Sequence, residues 1–382
     1  MKKLLVLMLA IVMVASIFVG CADKAEETET PAETEATEVE PEVTDEPEEV
    51  SGYELAMITD AGEIDDKSFN QGTWEGLKKY ADDNGLTYKY YKPTEVSDAA
   101  YLAAIDLAIQ AGAKVVVTPG FLFAPAIYEA QALYPETNFI LLDADPHTAD
   151  WSTFRIDENV YSIYYAEQQA GFLAGYAAVK EGYTKLGFMG GMAVPAVVRF
   201  GYGFVQGAEY AAAEMGVEAI ELKYHYTGDF DATPKNQTTA ATWYADGTEV
   251  IFAAGGKVGN SVMAAAEAAD AKVIGVDVDQ SAESETVISS AMKELGISVY
   301  AGLEGYYADE FKGGVIETLD ITVDGVGLPF ATSRFETFTE AEYTAIYDAM
   351  VADADGVRSS IVADAEAVTD IETSIVSVTV VE

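Results

Sequence analysis

Cysteine and histidine are almost missing from this chain: Cys21 stands alone, and His147 and His225 are the two histidines among 382 residues. A single cysteine excludes an internal disulfide and any zinc or iron–sulfur site built on thiolates. Two histidines leave little for a histidine metal site or a Ser-His-Asp triad. Positive charge is the next shortage. Lys and Arg number 21 against 65 Asp and Glu, a formal net charge of −44. That balance repels phosphate backbones and anionic bilayer surfaces, so nucleic-acid binding is excluded as a function class. Two glycine signatures are missing as well. Gly255-Gly256-Lys257 lacks the rest of GxxxxGK[ST], and no GxGxxG follows the first strand-like run. Asp65-Asp66 and Asp277-Val278-Asp279 offer oxygen ligands without EF-hand spacing, so no metal and no cofactor is expected.

What is present supports a large core. Half of the residues are hydrophobic and 11% are aromatic, which excludes disorder for the bulk of the chain. The length suggests about two domains. Lys2 and Lys3 precede an apolar run, Leu4 to Ile17, of signal-peptide length. Phe18-Val19-Gly20-Cys21 follows and resembles a bacterial lipobox, with Phe18 in place of the usual Leu. Residues 1–21 are therefore expected to be a lipoprotein signal peptide, with Cys21 as the lipid acceptor. An ordinary signal peptide with a chance cysteine is the alternative. Residues 22–50 hold 13 acidic residues and one lysine among Thr, Ala and Pro. They have no apolar period, so an extended, disordered tether is expected. The charge left on residues 51–382 is spread along the chain and reads as a solvated surface.

From residue 51 the pattern alternates between β and α. Short apolar runs read as buried strands at Glu54–Thr59, Val115–Thr118, Phe139–Leu142, Leu186–Met189, Val250–Ala254, Lys272–Val276 and Thr286–Ser290. The first helix is well signalled. Ser68 and Gln71 form a capping-box pattern, Trp74, Leu77, Tyr80 and Ala81 share a face, and Asn84-Gly85 stops it. Such alternation means parallel sheets covered by helices, in two doubly wound lobes rather than one sheet, with a (β/α)₈ barrel as the rival architecture. Ligands bind beyond the carboxyl ends of strands in open α/β sheets. Those ends carry Asp60, Gly120-Phe121, Asp143, Gly190-Gly191, Gly255-Gly256, Asp277 and, after the last run, Lys293. Any one aspartate there could be a helix cap. Recurrence at nearly every strand end points to a site.

Residues Thr59 to Gln71 read TDAGEIDDKSFNQ and continue to Trp74-Glu75-Gly76. This opening resembles the basic membrane protein / purine nucleoside receptor family of ABC-transporter substrate-binding lipoproteins. Further matches follow in the same order: Gly187 to Met192, Arg199-Phe200 with Gly203-Phe204 and Gly207, Ala254-Gly255-Gly256, Ile274 to Asp277 with Asp279-Gln280, and Phe311 to Gly314. The resemblance covers roughly residues 53–315. One departure is Gly256-Lys257-Val258-Gly259-Asn260-Ser261, where the family usually reads GGTGNG; Lys257 and Ser261 bear on ligand choice.

The resemblance implies a type I periplasmic-binding-protein fold, α/β, with two doubly wound lobes joined by a multi-strand hinge. The implied first lobe is 51–155 plus 280–318, and the second is 156–279 plus 319–382. It implies a nucleoside, purine by preference, held between the lobes and passed to an ABC permease by a monomeric receptor. The receptor would be lipid-anchored on the extracytoplasmic face of the bacterial membrane. Phe69 and Phe200 match the family's two stacking phenylalanines, and Asp60 and Asn70 its base-edge positions. Asp143, Asp277 and Lys293 are the candidates for ribose, with backbone amides at Gly256; Gly120 and Phe121 complete the expected wall. A receptor for a sugar or signalling molecule, or a secreted nucleoside hydrolase, remains open at this point. A hydrolase would need a nucleophile or an acid–base pair, and each pocket aspartate already has a hydroxyl-binding role.

Overall fold

The computed structural model describes residues 52–381; the expected signal peptide, the tether and Cys21 lie outside the described residues. Each of the seven apolar runs forms a strand, and helices lie in every gap between them except the last, between Lys272–Val276 and Thr286–Ser290. In the first half these are β1 (Leu55–Ile58), α1 (Phe69–Asn84), β2 (Tyr88–Tyr91), α2 (Asp98–Gln110), β3 (Val115–Pro119), α3 (Ala124–Leu133), β4 (Asn138–Leu142) and β5 (Val160–Tyr165). The chain continues through α4 (Glu167–Lys180), β6 (Lys185–Gly190), α5 (Pro195–Met215), β7 (Ile220–Tyr226), α6 (Pro234–Ala245), β8 (Val250–Ala254), α7 (Val258–Ala269) and β9 (Lys272–Asp277). It ends with β10 (Val287–Lys293), α8 (Leu295–Tyr307), β11 (Val315–Leu319), β12 (Val326–Gly327), α9 (Glu340–Val351) and β13 (Val376–Val380).

The strands form two separate sheets, which rules out a closed barrel. One runs β11-β5-β4-β3-β1-β2 and the other β12-β10-β9-β8-β6-β7-β13. Every pairing is parallel except β10 with β12. Helices cover both faces, so the central strands β1, β3 and β8 are buried at every residue.

Strand pairing moves two expected boundaries. Residues 156–165, expected in the second lobe, carry β5, which pairs with β4 in the first sheet. Residues 280–293, expected in the first, carry β10, which pairs with β9 in the second. The chain therefore passes between the sheets after Tyr165, after Lys293 and after Leu319. Ala166 N donates to Leu319 O at 3.0 Å, tying two of these passages together.

Helix α1 stops as its sequence demands: Gly85 takes φ 66° and its N–H bonds Ala81 O. Its start differs from expectation, because the Ser68–Gln71 capping box does not form. The Ser68 hydroxyl makes no cap bond, and Gln71 Oε1 accepts from Lys67 N at 3.2 Å instead. Asp66 caps the helix, accepting from Ser68 N and Asn70 N at 2.9 Å and from Gln71 N at 3.1 Å.

Candidate functional site

All ten residues nominated for the ligand line one cavity enclosing about 690 Å³ of empty space, part of it open to solvent. The strand ends of both sheets open onto it, as the doubly wound arrangement requires.

From the first sheet come Asp60 after β1, Gly120 and Phe121 after β3, and Asp143 after β4; Phe69 and Asn70 open α1 beside them. From the second come Gly256 after β8, Asp277 ending β9, Lys293 ending β10, and Phe200 on α5. Lys293 is the last residue of its strand rather than a residue beyond it. Gly120 has no substitute: its φ is 123°, and a Cβ there would stand 2.8 Å from Asp60 Oδ2.

Asp143 and Asp277 hold left-handed backbones, φ 61° and 67°. For a non-glycine residue that costs on the order of 1–2 kcal/mol, with aspartate among the more tolerant types. Both carboxylates are buried. Lys293 Nζ donates to Asp143 Oδ2 at 2.6 Å, while Asp143 Oδ1 has no partner. The same ammonium lies 4.9 Å from the ring centre of Phe69 and 5.5 Å from that of Phe200. Rings from both lobes therefore flank one short stretch of the cavity, with the carboxylates beside it.

Asn70 does not play the part expected of it. Both hydrogens of its amide are spent, on Asp60 Oδ1 and Asp66 Oδ2, each at 2.9 Å. It accepts from Asp60 N at 3.3 Å. Its work is to hold Asp60, whose Oδ2 accepts no bond from the described residues. Lys257 and Ser261 turn away from the cavity. Lys257 Nζ bonds Asp65 Oδ1 at 2.7 Å, and Ser261 Oγ bonds Thr233 N and O.

Sequence reasoning missed Glu167, which opens α4 and is fully buried. Its Oε1 lies 2.9 Å from Lys293 Nζ, an ion pair by distance though not by hydrogen-bond angle. Its Oε2 lies 3.2 Å from Arg199 Nη1. The available signal was a lone carboxylate at the start of a helix that holds no other acidic residue. Phe230, and Val194 with Val197 near the start of α5, also line the cavity and were not singled out.

Burial sets the acidities. It pushes Asp277 up to about 6, against the opposing pull of Lys293 and the Ser68 hydroxyl. It raises Asp60 and Asp143 as well, although Lys293 partly offsets the rise at Asp143. At Glu167 burial is outweighed by Lys293 and Arg199, which hold the carboxyl below its ordinary value. Burial would lower Lys293, but Asp143, Glu167 and Asp277 together drive it up, so it stays charged. No grouping among the described residues could hold a metal ion. The site can stack a flat ring, accept hydroxyl and N–H donors, and present one fixed cation.

Comparison with known proteins agrees. The family model described as ABC transporter substrate-binding protein PnrA-like matches residues 53–372. The ABC transporter nucleoside-binding protein BmpA of Lactococcus lactis is 32% identical over 78% of this chain and 87% of its own length. Basic membrane protein A2 of Borrelia garinii is 29% identical over 69% of this chain and 76% of its own. Among solved structures, an ABC transporter solute-binding protein of Aeropyrum pernix superposes with a TM-score of 0.65 at 24% identity. That match covers 81% of this chain and 89% of the other. It speaks to the fold.

Proposed function

Because the chain belongs to the PnrA-like family of ABC transporter substrate-binding proteins, we propose that it is a receptor for a purine nucleoside, held to the outer face of the membrane through Cys21. It is a binding protein rather than an enzyme, as its family and relatives are, and its partner is a transporter permease. A base would lie against Phe69 and Phe200, where stacking on an aromatic ring is worth ~1–3 kcal/mol. The Asp60 Oδ2 acceptor would take an N–H of the base edge. Ribose hydroxyls would donate to Asp143 and Asp277, and Lys293 would donate to a ribose oxygen.

The observation that carries this reading is Asp143 Oδ1, a buried carboxylate oxygen without a partner in a cavity flanked by phenyl rings from both lobes. Leaving such an oxygen unpaired costs about 1–3 kcal/mol, which a ligand hydroxyl would relieve. A site built this way rejects ligands lacking the hydroxyl, because its buried acceptors would then stay unpaired. Calorimetry with inosine, hypoxanthine and ribose tests it. Inosine should bind at least tenfold more tightly than either fragment. Equal affinity for inosine and hypoxanthine would remove the ribose role, and equal affinity for inosine and ribose would make the protein a sugar receptor.

A further inference from the structure

Ser68 occupies the N-cap of α1, where a serine hydroxyl normally accepts from a helix N–H. Here it does not, and its backbone sits at φ −149°, ψ −122°. Asp66 has taken the cap and satisfies three N–H groups of the first turn. The freed hydroxyl belongs to a fully buried residue and donates to Asp277 Oδ2 at 2.5 Å, 209 positions along the chain and in the other sheet. A short hydroxyl-to-carboxylate bond is of the strong, charge-assisted kind. Ser68 does not line the cavity, whereas Asp277 does. Asp277 Oδ1 accepts no bond from the described residues, so one oxygen is held and the other is left to the cavity.

The neighbouring residues cross in the same way. Gln280 Nε2 donates to Lys67 O at 2.7 Å, and Lys67 Nζ lies 3.6 Å from Glu283. With the Lys257–Asp65 ion pair, three of the four residues from Asp65 to Ser68 are thus gripped from the second lobe. Only the Ser68 bond reaches a side chain that faces the ligand space.

We propose that Ser68 is a positioning residue acting across the cleft: its hydroxyl fixes the Asp277 carboxylate with Oδ1 toward the ligand space before any ligand arrives. The inference rests on the reading of Asp277 as a ligand acceptor.

The test is Ser68→Ala, read in two ways. The fold should be kept, since Asp66 supplies the cap. In the ligand-free protein, the Asp277 carboxyl is followed by NMR titration. The charged groups around it are Lys293, Asp66, Glu167 and Asp143, and all are unchanged in the variant. Loss of a bond that favours the ionised form should move the titration upward from its wild-type position near 6. At pH 7.5, inosine affinity should fall about ten- to a hundredfold, as expected for a bond to a charged group. In an Asp277→Asn background the same substitution should cost less than about twofold. Ser68→Cys, with a weaker donor of similar size, should fall between wild type and alanine in both readouts. An unmoved Asp277 titration overturns the inference, as do equal affinity losses in both backgrounds. A wild type that binds no nucleoside would sink the functional reading, while the titration would still decide the positioning role.

Discussion

Asp277 carries two costs at once, burial of its carboxylate and a left-handed backbone, and both have measurable consequences. Its folded pKa lies near 6, above the ordinary 3.8. An acid raised on folding binds protons more tightly in the folded state, so its contribution to stability is greatest below about pH 4. That contribution is lost as pH rises toward 6. Ligand binding has the opposite sign, because ribose hydroxyls need the ionised acceptor. Inosine affinity should therefore weaken at least tenfold from pH 7 to pH 5, with Asp60 and Asp143, also raised by burial, adding to the loss; Asp277→Asn should make that slope shallower without removing it, and calorimetry across the range reads both. The two phenylalanines make different experiments. Phe69 is half-buried, so Phe69→Ala should cost ~1–3 kcal/mol of inosine binding with little loss of stability. Phe200 is nearly inaccessible and packs edge-on against Phe252, so its replacement by alanine also opens a core cavity and costs ~3–5 kcal/mol of stability. Residues at strand ends were legible in the sequence because parallel sheets direct those ends to one place. Asn70, Ser68 and Glu167 were not legible in role, because each is decided by a partner brought in from elsewhere in the chain.

At the scale of elements, α4 and α5 pack backbone against backbone, and four glycines make it possible. A Cβ on Gly171 would stand 2.1 Å from Phe200 O, one on Gly175 2.1 Å from Phe204 O, one on Gly203 2.1 Å from Gln168 O, and one on Gly207 1.9 Å from Phe172 O. Helix on helix at this distance also sets where Phe200 stands. Alanine is the better helix former by about 1 kcal/mol, yet Gly207→Ala should lower stability. Overlap with backbone cannot be relieved by a rotamer change, and overpacking costs ~1–3 kcal/mol even where neighbours can give. A denaturation midpoint equal to or above wild type would count against this. The interior strands were legible because they are buried on both faces. Strands β2, β7 and β13 were not, since they lie at or next to the sheet edges and mix apolar with polar residues, as in Ile220–Tyr226. Strand β5 was hidden by its tyrosines.

For the whole molecule, no helix among the described residues is long and apolar enough to cross a membrane. Attachment would then fall to Cys21 and its acyl chains, two or more of which suffice for stable anchoring. Cys21→Ser should move the protein from the membrane fraction to the medium or leave it unprocessed; unchanged fractionation and size would end the lipoprotein reading. The two-lobe plan was legible from the count of βα units, but its seams were not, because no composition change marks the passages after Tyr165 and Lys293. Those seams have a consequence for how the chain is made. The first sheet receives its outer strand, β11, only with residues 315–319, and the second receives β13 only with residues 376–380. A polypeptide delivered N-terminus first cannot finish either half until nearly all of it has emerged. No single cut in its gene therefore separates the strands of one sheet from those of the other.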